Sequence, residues 1–378
     1  MSRLNFQECT RCIMNSEADV CITFNDAGVC HHCLRYEKTY HDRMVADNVQ
    51  EKELDRLITK IKKSGRGRDY DCIIGVSGGV DSTYVAYLTK KLGLRPLAVH
   101  LDNGWNSELA IVNIEKTLTS LGVDLYTHVL DWEEFRELQV CFLKASVPDG
   151  EIVSDHAITA LLWTEAAKRG IKYIISGMNY ATESMSVPNW AYGHSDWKYI
   201  KGVYKKFGSG GKLTSYPHYS LARLMYINAV KGVRSVSILN YINYVKDDAM
   251  ELIKNELKWQ DYGGKHHESI YTRFYQGYYL PKKFNIDKRY AHFSDLISNG
   301  QLSRSEAIEE IRKPTYSDVE KMQDIEYVKK KLLLSDTEFE RLLVDDHKTF
   351  RDYPNNYRLV QLLKRIVNIL RARSLYSK

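Results

Sequence analysis

Apolar residues between positions 71 and 176 come in two rhythms. Four short runs are nearly continuous: 71–76, 95–101, 123–130 and 171–176. Runs of that length, rich in Val, Ile and Leu, predict strands, the first of them buried. Between them the apolar positions recur three and four apart, over 83–92, 107–122, 133–144 and 154–170. That spacing predicts helices, with Ser107 and Ser154 as N-caps and Gly93, Gly122 and Gly170 as stops. Strands alternating with helices predict an α/β fold, a doubly wound parallel sheet. Ligands of such sheets sit outside the C-terminal strand ends, where the strand order switches.

The flanks follow other patterns. Residues 36–63 are polar and helical, with Leu54, Leu57, Ile58 and Ile61 on one face, and 64–68 is a break. At 187–215 the rhythm is lost. Trp190 and Trp197 precede Lys198, Lys201, Lys205 and Lys206 and then a glycine-rich stretch ending at Lys212. This predicts a mobile basic loop, either a lid over phosphates or a solvated surface. Capping-box spacings at 303–306, 317–320 and 335–338 predict three late helices. An amphipathic basic helix is expected over 356–373, docked on its own domain or on a partner. The division expected is a ribbon at 1–45, a nucleotide domain at 46–240, and a mostly helical substrate or partner region at 241–378.

The first run is followed by Ser77-Gly78-Gly79-Val80-Asp81-Ser82. A strand, a glycine loop and a helix N-terminus make an anion site, since the first helical N–H groups lack partners. No GxxxxGK[ST] pattern is present, so this is not the lysine-bearing loop that grips β- and γ-phosphates. Asp81 would repel phosphate unless a divalent cation, Mg2+ by its oxygen preference, lay between them. The alternative is a serine–glycine turn with an N-capping aspartate.

Five of seven cysteines fall in the first 33 residues. Cys9, Cys12, Cys30 and Cys33 form C-x2-C-x17-C-x2-C, the spacing of a zinc ribbon. Four thiolates leave no open position, so the zinc is expected to be structural, with an iron–sulfur cluster as the alternative. His31 and His32 read as bystanders and Cys21 as a small packed residue. Reduced cysteines and the lack of an apolar leader or an 18-residue apolar run predict a cytoplasmic protein without a membrane span. A net charge of +6 is too weak to argue for nucleic acid. Most of the 27 tyrosines lie beyond residue 190.

The hexapeptide at 77–82 resembles the pyrophosphate loop of PP-loop ATP pyrophosphatases. That resemblance implies ATP cleavage between the α- and β-phosphates after adenylation of a carbonyl oxygen. Ser77, Gly78, Gly79, Asp81 and Ser82 would then cradle ATP, with Asp81 on Mg2+. Strand ends reading Leu101-Asp102-Asn103-Gly104 and Ser176-Gly177-Met178-Asn179 are similar to those of amide-forming members such as NAD synthetase. By this resemblance the Leu101 backbone would meet adenine, Asn103 would bind nucleotide, Gly177 would admit the ribose, and Glu183 would be a second Mg2+ ligand. Asn103 and Asn179 could equally be turn residues. Asp155 and His156 open a helix, where a carboxylate suits the macrodipole alone; a catalytic role is the alternative.

Residues 259–269 read Trp-Gln-Asp-Tyr-Gly-Gly-Lys-His-His-Glu-Ser. The run Lys265, His266, His267, Glu268 concentrates anion donors and acid/base groups. It reads as a clamp on triphosphate and sugar nucleotide, with Lys265 neutralising charge, in preference to a second metal site. Ribbon, SGGVDS loop and this segment together resemble the N-acetyl sugar amidotransferases of bacterial surface-polysaccharide (LPS O-antigen) synthesis. That family converts an acetamido group on a nucleotide-linked sugar, here expected to be UDP-linked, into an acetamidino group. The rival is a tRNA-thiolating PP-loop enzyme, disfavoured because Cys72 and Cys141 are the only cysteines outside the ribbon region. A zinc-ribbon interaction module is a third reading and leaves Asp81 unexplained. Neither Cys72 nor Cys141 is glycine-flanked, Met1 is followed by Ser2, and no room is left for a glutaminase domain. Ammonia is therefore expected from a separate glutaminase subunit, through a barrel-type channelling subunit as the resemblance implies.

Overall fold

The computed structural model describes residues 6–264 and 267–365. Helices α1 (His31–Arg43) and α2 (Gln50–Ser64) precede the sheet. Then come β1 (Cys72–Gly75), α3 (Val80–Lys91), β2 (Pro96–Asp102), α4 (Glu108–Leu121), β3 (Asp124–Val129), α5 (Trp132–Lys144), α6 (Ile152–Arg169) and β4 (Tyr173–Ser176). Next are α7 (Tyr180–Glu183), α8 (Trp197–Phe207), α9 (Leu221–Ala229), β5 (Arg234–Ser237) and α10 (Lys246–Leu257). The rest is helical: α11 (Ile270–Phe274) running into a π-helix (Tyr275–Phe284), then α12 (Arg289–Ser298), α13 (Arg304–Arg312), α14 (Asp318–Leu332) and α15 (Asp336–Val344).

All five strands are parallel, in the order β3-β2-β1-β4-β5. The expected doubly wound α/β sheet is therefore present. The chain winds outward from β1 through β2 to β3, then returns to the other side for β4, so the switch falls between β1 and β4. Neighbours in β1 face opposite ways. Ile73 packs with Leu138 of α5 and Leu161 of α6, while Cys72 and Ile74 pack with Ile61 of α2, Val85 of α3 and Leu118 of α4. Helices thus cover both faces, and α10 packs on α3. Edge strand β3 exposes Leu125 and Val129.

Several local expectations change. The polar stretch at 36–63 is two helices, because the chain turns through Met44 and a 3-10 turn at Asp47–Val49. Strand β5 carried no signal: its sequence, Arg-Ser-Val-Ser, has one apolar residue. Helix α6 starts at Ile152, so Ser154 lies in its first turn and not at the cap. The expected mobile loop of lysines is largely α8, which buries Tyr199, Ile200, Val203 and Tyr204 and leaves Lys198, Lys201, Lys205 and Lys206 exposed. The glycine-rich segment after it is tied down. Glu134 accepts N–H bonds from Ser215 (3.0 Å) and Tyr216 (2.8 Å), and Glu137 accepts from Tyr204 Oη (3.0 Å). Cys21 is exposed. Capping boxes begin α13 and α15, and Ser317 caps α14. Of the expected last helix, 357–365 is helical with Leu359 and Leu362 exposed; its continuation lies outside the described residues.

Candidate active site

The turn from β1 into α3 is built on Gly78, at φ +84°. A Cβ there would lie 2.8 Å from both the Ala110 carbonyl oxygen and Tyr262 Oη, so no other residue fits. Gly79 is the N-cap of α3. Hydroxyls brace the turn internally: Ser82 Oγ donates to the Gly79 carbonyl (3.1 Å), and Ser77 Oγ accepts from Gly79 N–H (3.3 Å). Trp259 Nε1 and Tyr262 Oη brace it externally, both donating to the Gly78 carbonyl (2.7 and 2.6 Å).

Residues on both sides of 265–266 are themselves anchored beside this turn. Asn113 of α4 exchanges two hydrogen bonds with the Gln260 backbone (2.8 and 2.9 Å). Ser107 N–H donates to the Glu268 carbonyl (2.9 Å), and Ser269 bridges to Asn106. The Glu268 carboxylate consequently lies over the loop, 3.3 Å from where a Gly79 Cβ would be. His267 is half-buried, and burial, with Arg273 next, holds its imidazole below the ordinary value. Lys265 and His266 lie outside the described residues.

Asp81 sits in the first turn of α3 and accepts a hydrogen bond from Tyr244 Oη. Burial first, then Asp81, and more weakly Glu183 of α7, push the Tyr244 phenol well above its ordinary value. Of the two carboxylates expected to hold Mg2+, Asp81 is the one that meets this hydroxyl, while Glu183 bears on it only as a more distant charge; carboxylate oxygens are the hard donors that ion accepts. A Cβ on Gly177 would lie 3.2–3.3 Å from the Asp81 backbone and Cβ, so Gly177 lets the end of β4 approach α3 at the switch point.

The structure therefore brings together Ser77, Gly78, Gly79, Asp81, Ser82, Gly177 and Glu268, while Glu183 ends the short α7 that follows Gly177. Leu101 is in β2, opposite His128 of β3, with its side chain in the core. Asn103 is committed to its turn, accepting from Trp105 N–H (3.1 Å) and donating to Ser154 Oγ (3.2 Å). Asn179 caps α7. His156 is buried with both ring nitrogens used, by the His194 carbonyl (2.6 Å) and Tyr219 N–H (3.4 Å), and burial lowers its pKa to about 4. It is not available as an acid or base. Tyr244 is the site residue that carried no sequence signal.

In the ribbon, Cys9, Cys12, Cys30 and Cys33 are buried with their sulfurs within 4.8 Å of one another. Cys12 and Cys30 are 3.7 Å apart, and Cys9 and Cys33 4.0 Å. A tetrahedral ion with bonds of about 2.3 Å sets sulfurs about 3.8 Å apart, so this donor set fits zinc. N–H groups of Arg11, Cys12 and Cys30 point at Cys9 Sγ (3.3–3.5 Å). Mutual hydrogen bonds among the thiols pull Cys9 and Cys30 down and push Cys12 and Cys33 up. Such a cluster needs a cation to ionise fully. His32 Nε2 pairs with buried Asp19 (2.8 Å) and is no ligand of the four-sulfur set. Arg304 of α13 donates to the Cys12 (3.1 Å) and Cys9 (3.3 Å) carbonyls.

Comparison with known proteins adds one domain assignment. Residues 268–366 match the family described as the C-terminal domain of LPS biosynthesis protein WbpG-like. A stretch of 76 residues is 38% identical to the glutamine-hydrolyzing GMP synthase of Pyrobaculum aerophilum. It covers 20% of this chain and spans only 15% of that relative's length. Among solved structures, the U34-tRNA thiolase NcsA of Methanococcus maripaludis, with its [4Fe-4S] cluster, is similar over 80% of this chain and 86% of its own (15% identity, TM-score 0.34). The NH3-dependent NAD synthetase of Campylobacter jejuni is similar over 56% and 88% (14% identity, TM-score 0.28). These superpositions are loose, and the fold assignment rests on the strand order itself. The chain thus carries a parallel α/β sheet, and residues 268–366 are similar to the WbpG-like C-terminal domain. Among the described residues no helix is long and apolar enough to cross a membrane.

Proposed function

We propose that this chain is an ATP-dependent amidotransferase acting on the acetamido group of a UDP-linked N-acetyl sugar. The observation that carries the reading is the place of Glu268. It is the first residue of the matched surface-polysaccharide domain, and its carboxylate lies on the glycine loop at the switch point. An acceptor domain laid on an anion loop suits the transfer of a nucleotidyl group to that acceptor.

In this reading the acetamido oxygen attacks the α-phosphorus of ATP, the α–β bond breaks, and pyrophosphate leaves. Ammonia adds to the imidate carbon, and the C–O bond breaks with its electrons going to AMP. The product is an acetamidino group, protonated at neutral pH. Ser77, Gly78, Gly79 and Ser82 hold the pyrophosphate through backbone and hydroxyl donors. Asp81 and Glu183 hold Mg2+, which when bound neutralises the leaving pyrophosphate. Lys265 neutralises further phosphate charge, while His266, His267 and Glu268 serve proton transfer at the acceptor. The four cysteines hold a structural zinc.

A glutamine-hydrolysing role within the chain has little support. Cys72 and Cys141 are buried, and burial pushes the Cys141 thiol up to about 12 and Cys72 higher. The same burial weighs against a sulfur relay for tRNA thiolation. Ammonia would come from a separate glutaminase, through a barrel-type subunit. The test is to incubate the purified chain with ATP, Mg2+, ammonium and UDP-N-acetyl sugars. AMP, pyrophosphate and a sugar with one oxygen exchanged for NH are expected. ADP and phosphate as the nucleotide products would refute the loop's role, and a thiolated tRNA product would refute the acceptor.

A further inference from the structure

Tyr244 lies just before α10, buried, 163 positions from the carboxylate it touches. Its ring packs on Tyr84 with centroids 5.7 Å apart. Tyr84 belongs to α3, the helix that carries Asp81, so ring and carboxylate are fixed to one element. The backbone around Tyr244 is held by one amide. Gln301 Nε2 donates to the Tyr244 carbonyl (2.9 Å), and Gln301 Oε1 accepts from Lys246 N–H (3.0 Å). Gln301 also donates to Asn299 Oδ1 (2.6 Å), and Asn299 Nδ2 donates to Tyr36 Oη of α1 (3.2 Å). A hydroxyl fixed so thoroughly is aimed, not incidental, and its target is the one acidic residue of the glycine loop.

We propose that Tyr244 is a positioning residue for Asp81. Its hydroxyl sets the plane of the carboxylate, so that Asp81 meets the divalent cation of the bound nucleotide without first reorienting. This rests on the reading of the loop as an ATP site. Hydrogen bonds that orient a metal-binding carboxylate typically govern metal affinity by roughly 10–100-fold.

The experiment titrates Mn2+ in place of Mg2+ into protein holding α,β-methylene-ATP, followed by electron paramagnetic resonance, for wild type, Tyr244→Phe and Asp81→Asn. The phenylalanine ring preserves the packing on Tyr84. Tyr244→Phe should weaken Mn2+ binding by roughly tenfold or more. Its melting temperature, and its analogue affinity in EDTA, should stay close to wild type. A merely structural tyrosine would move the melting temperature and leave Mn2+ affinity alone. Weakening by less than about fivefold, set against that range, overturns the proposal. Wild-type protein that binds no Mn2+ with the analogue refutes the ATP reading itself, a result distinct from normal wild-type binding retained in Tyr244→Phe.

Discussion

Asp81 and His156 are both polar residues at helix starts on the C-terminal rim of the sheet, and they differ in what holds them. Asp81 faces a hydroxyl at the loop, so Asp81→Asn keeps the shape and removes the charge. Pyrophosphate release should fall on the order of 100-fold or more while the melting temperature changes little. His156 is enclosed by Trp197, Tyr216 and Tyr219 and is held neutral. With a folded pKa of about 4 against an ordinary 6.5, the unfolded chain takes up the proton first. This contribution to stability is whole above pH 6.5 and is lost as pH falls from there toward 4, by up to about 3 kcal/mol. Thermal melts of wild type and His156→Gln between pH 7 and pH 4.5 should show a shallower fall for the variant; parallel curves would refute the assignment. Ser77, Gly78, Gly79, Asp81 and Ser82 were legible because a glycine loop between a strand and a helix is a local pattern. Tyr244 and the bond from Trp259 to Gly78 were not, because their partners lie 163 and 181 positions away.

At the scale of elements, the apolar strands announced themselves, edge strand β3 among them, and polar β5 did not. Strands β1 and β2 are near-continuous apolar runs, whereas β5 is an edge strand exposed at Arg234 and Ser235 and only half-buried at Val236 and Ser237. Helix α8 was masked by its lysines, because its buried face is made partly of tyrosines, which also suit a loop. The segment after α8 owes its order to Glu134 and Glu137 on α5. Glu134→Ala should therefore release residues 208–216 without unfolding the sheet. Limited trypsin digestion should cut after Lys212 several-fold faster than in wild type; unchanged cutting would show that Tyr216, buried beneath, suffices alone.

Across the whole molecule, the ribbon is not an appendage. Arg304 clasps the Cys9–Cys12 knuckle, Arg35 Nη2 donates to the Ser186 carbonyl (3.0 Å), and Tyr36 stacks on Tyr180 of α7. Purified protein should hold about one zinc per chain. A Cys9→Ser/Cys33→Ser double variant should lose it and should also bind nucleotide-dependent Mn2+ more weakly, since α7 carries Glu183. Full zinc retention in that variant would exclude the four-sulfur site. The spacing of the four cysteines made this centre legible, while its contacts with α7 and α13 join segments no local pattern connects. The supply of nitrogen belongs to this scale too. With Cys72 and Cys141 buried, the chain alone should make product from ammonium and not from glutamine, until a glutaminase is added. Glutamine-dependent turnover by the single chain would overturn the expectation.

The clasp of Arg304 on the first knuckle has a consequence in time. The two lie 292 residues apart in sequence. A ribosome adding roughly 5–20 residues per second takes about 15–60 s to travel that distance. If the four cysteines hold zinc as proposed, the knuckle would be free to close on it once Cys33 emerges, long before α13 exists to cover it. For most of the chain's synthesis, the carbonyls of Cys9 and Cys12 would then face water, and the last helices would arrive to find their docking surface already built.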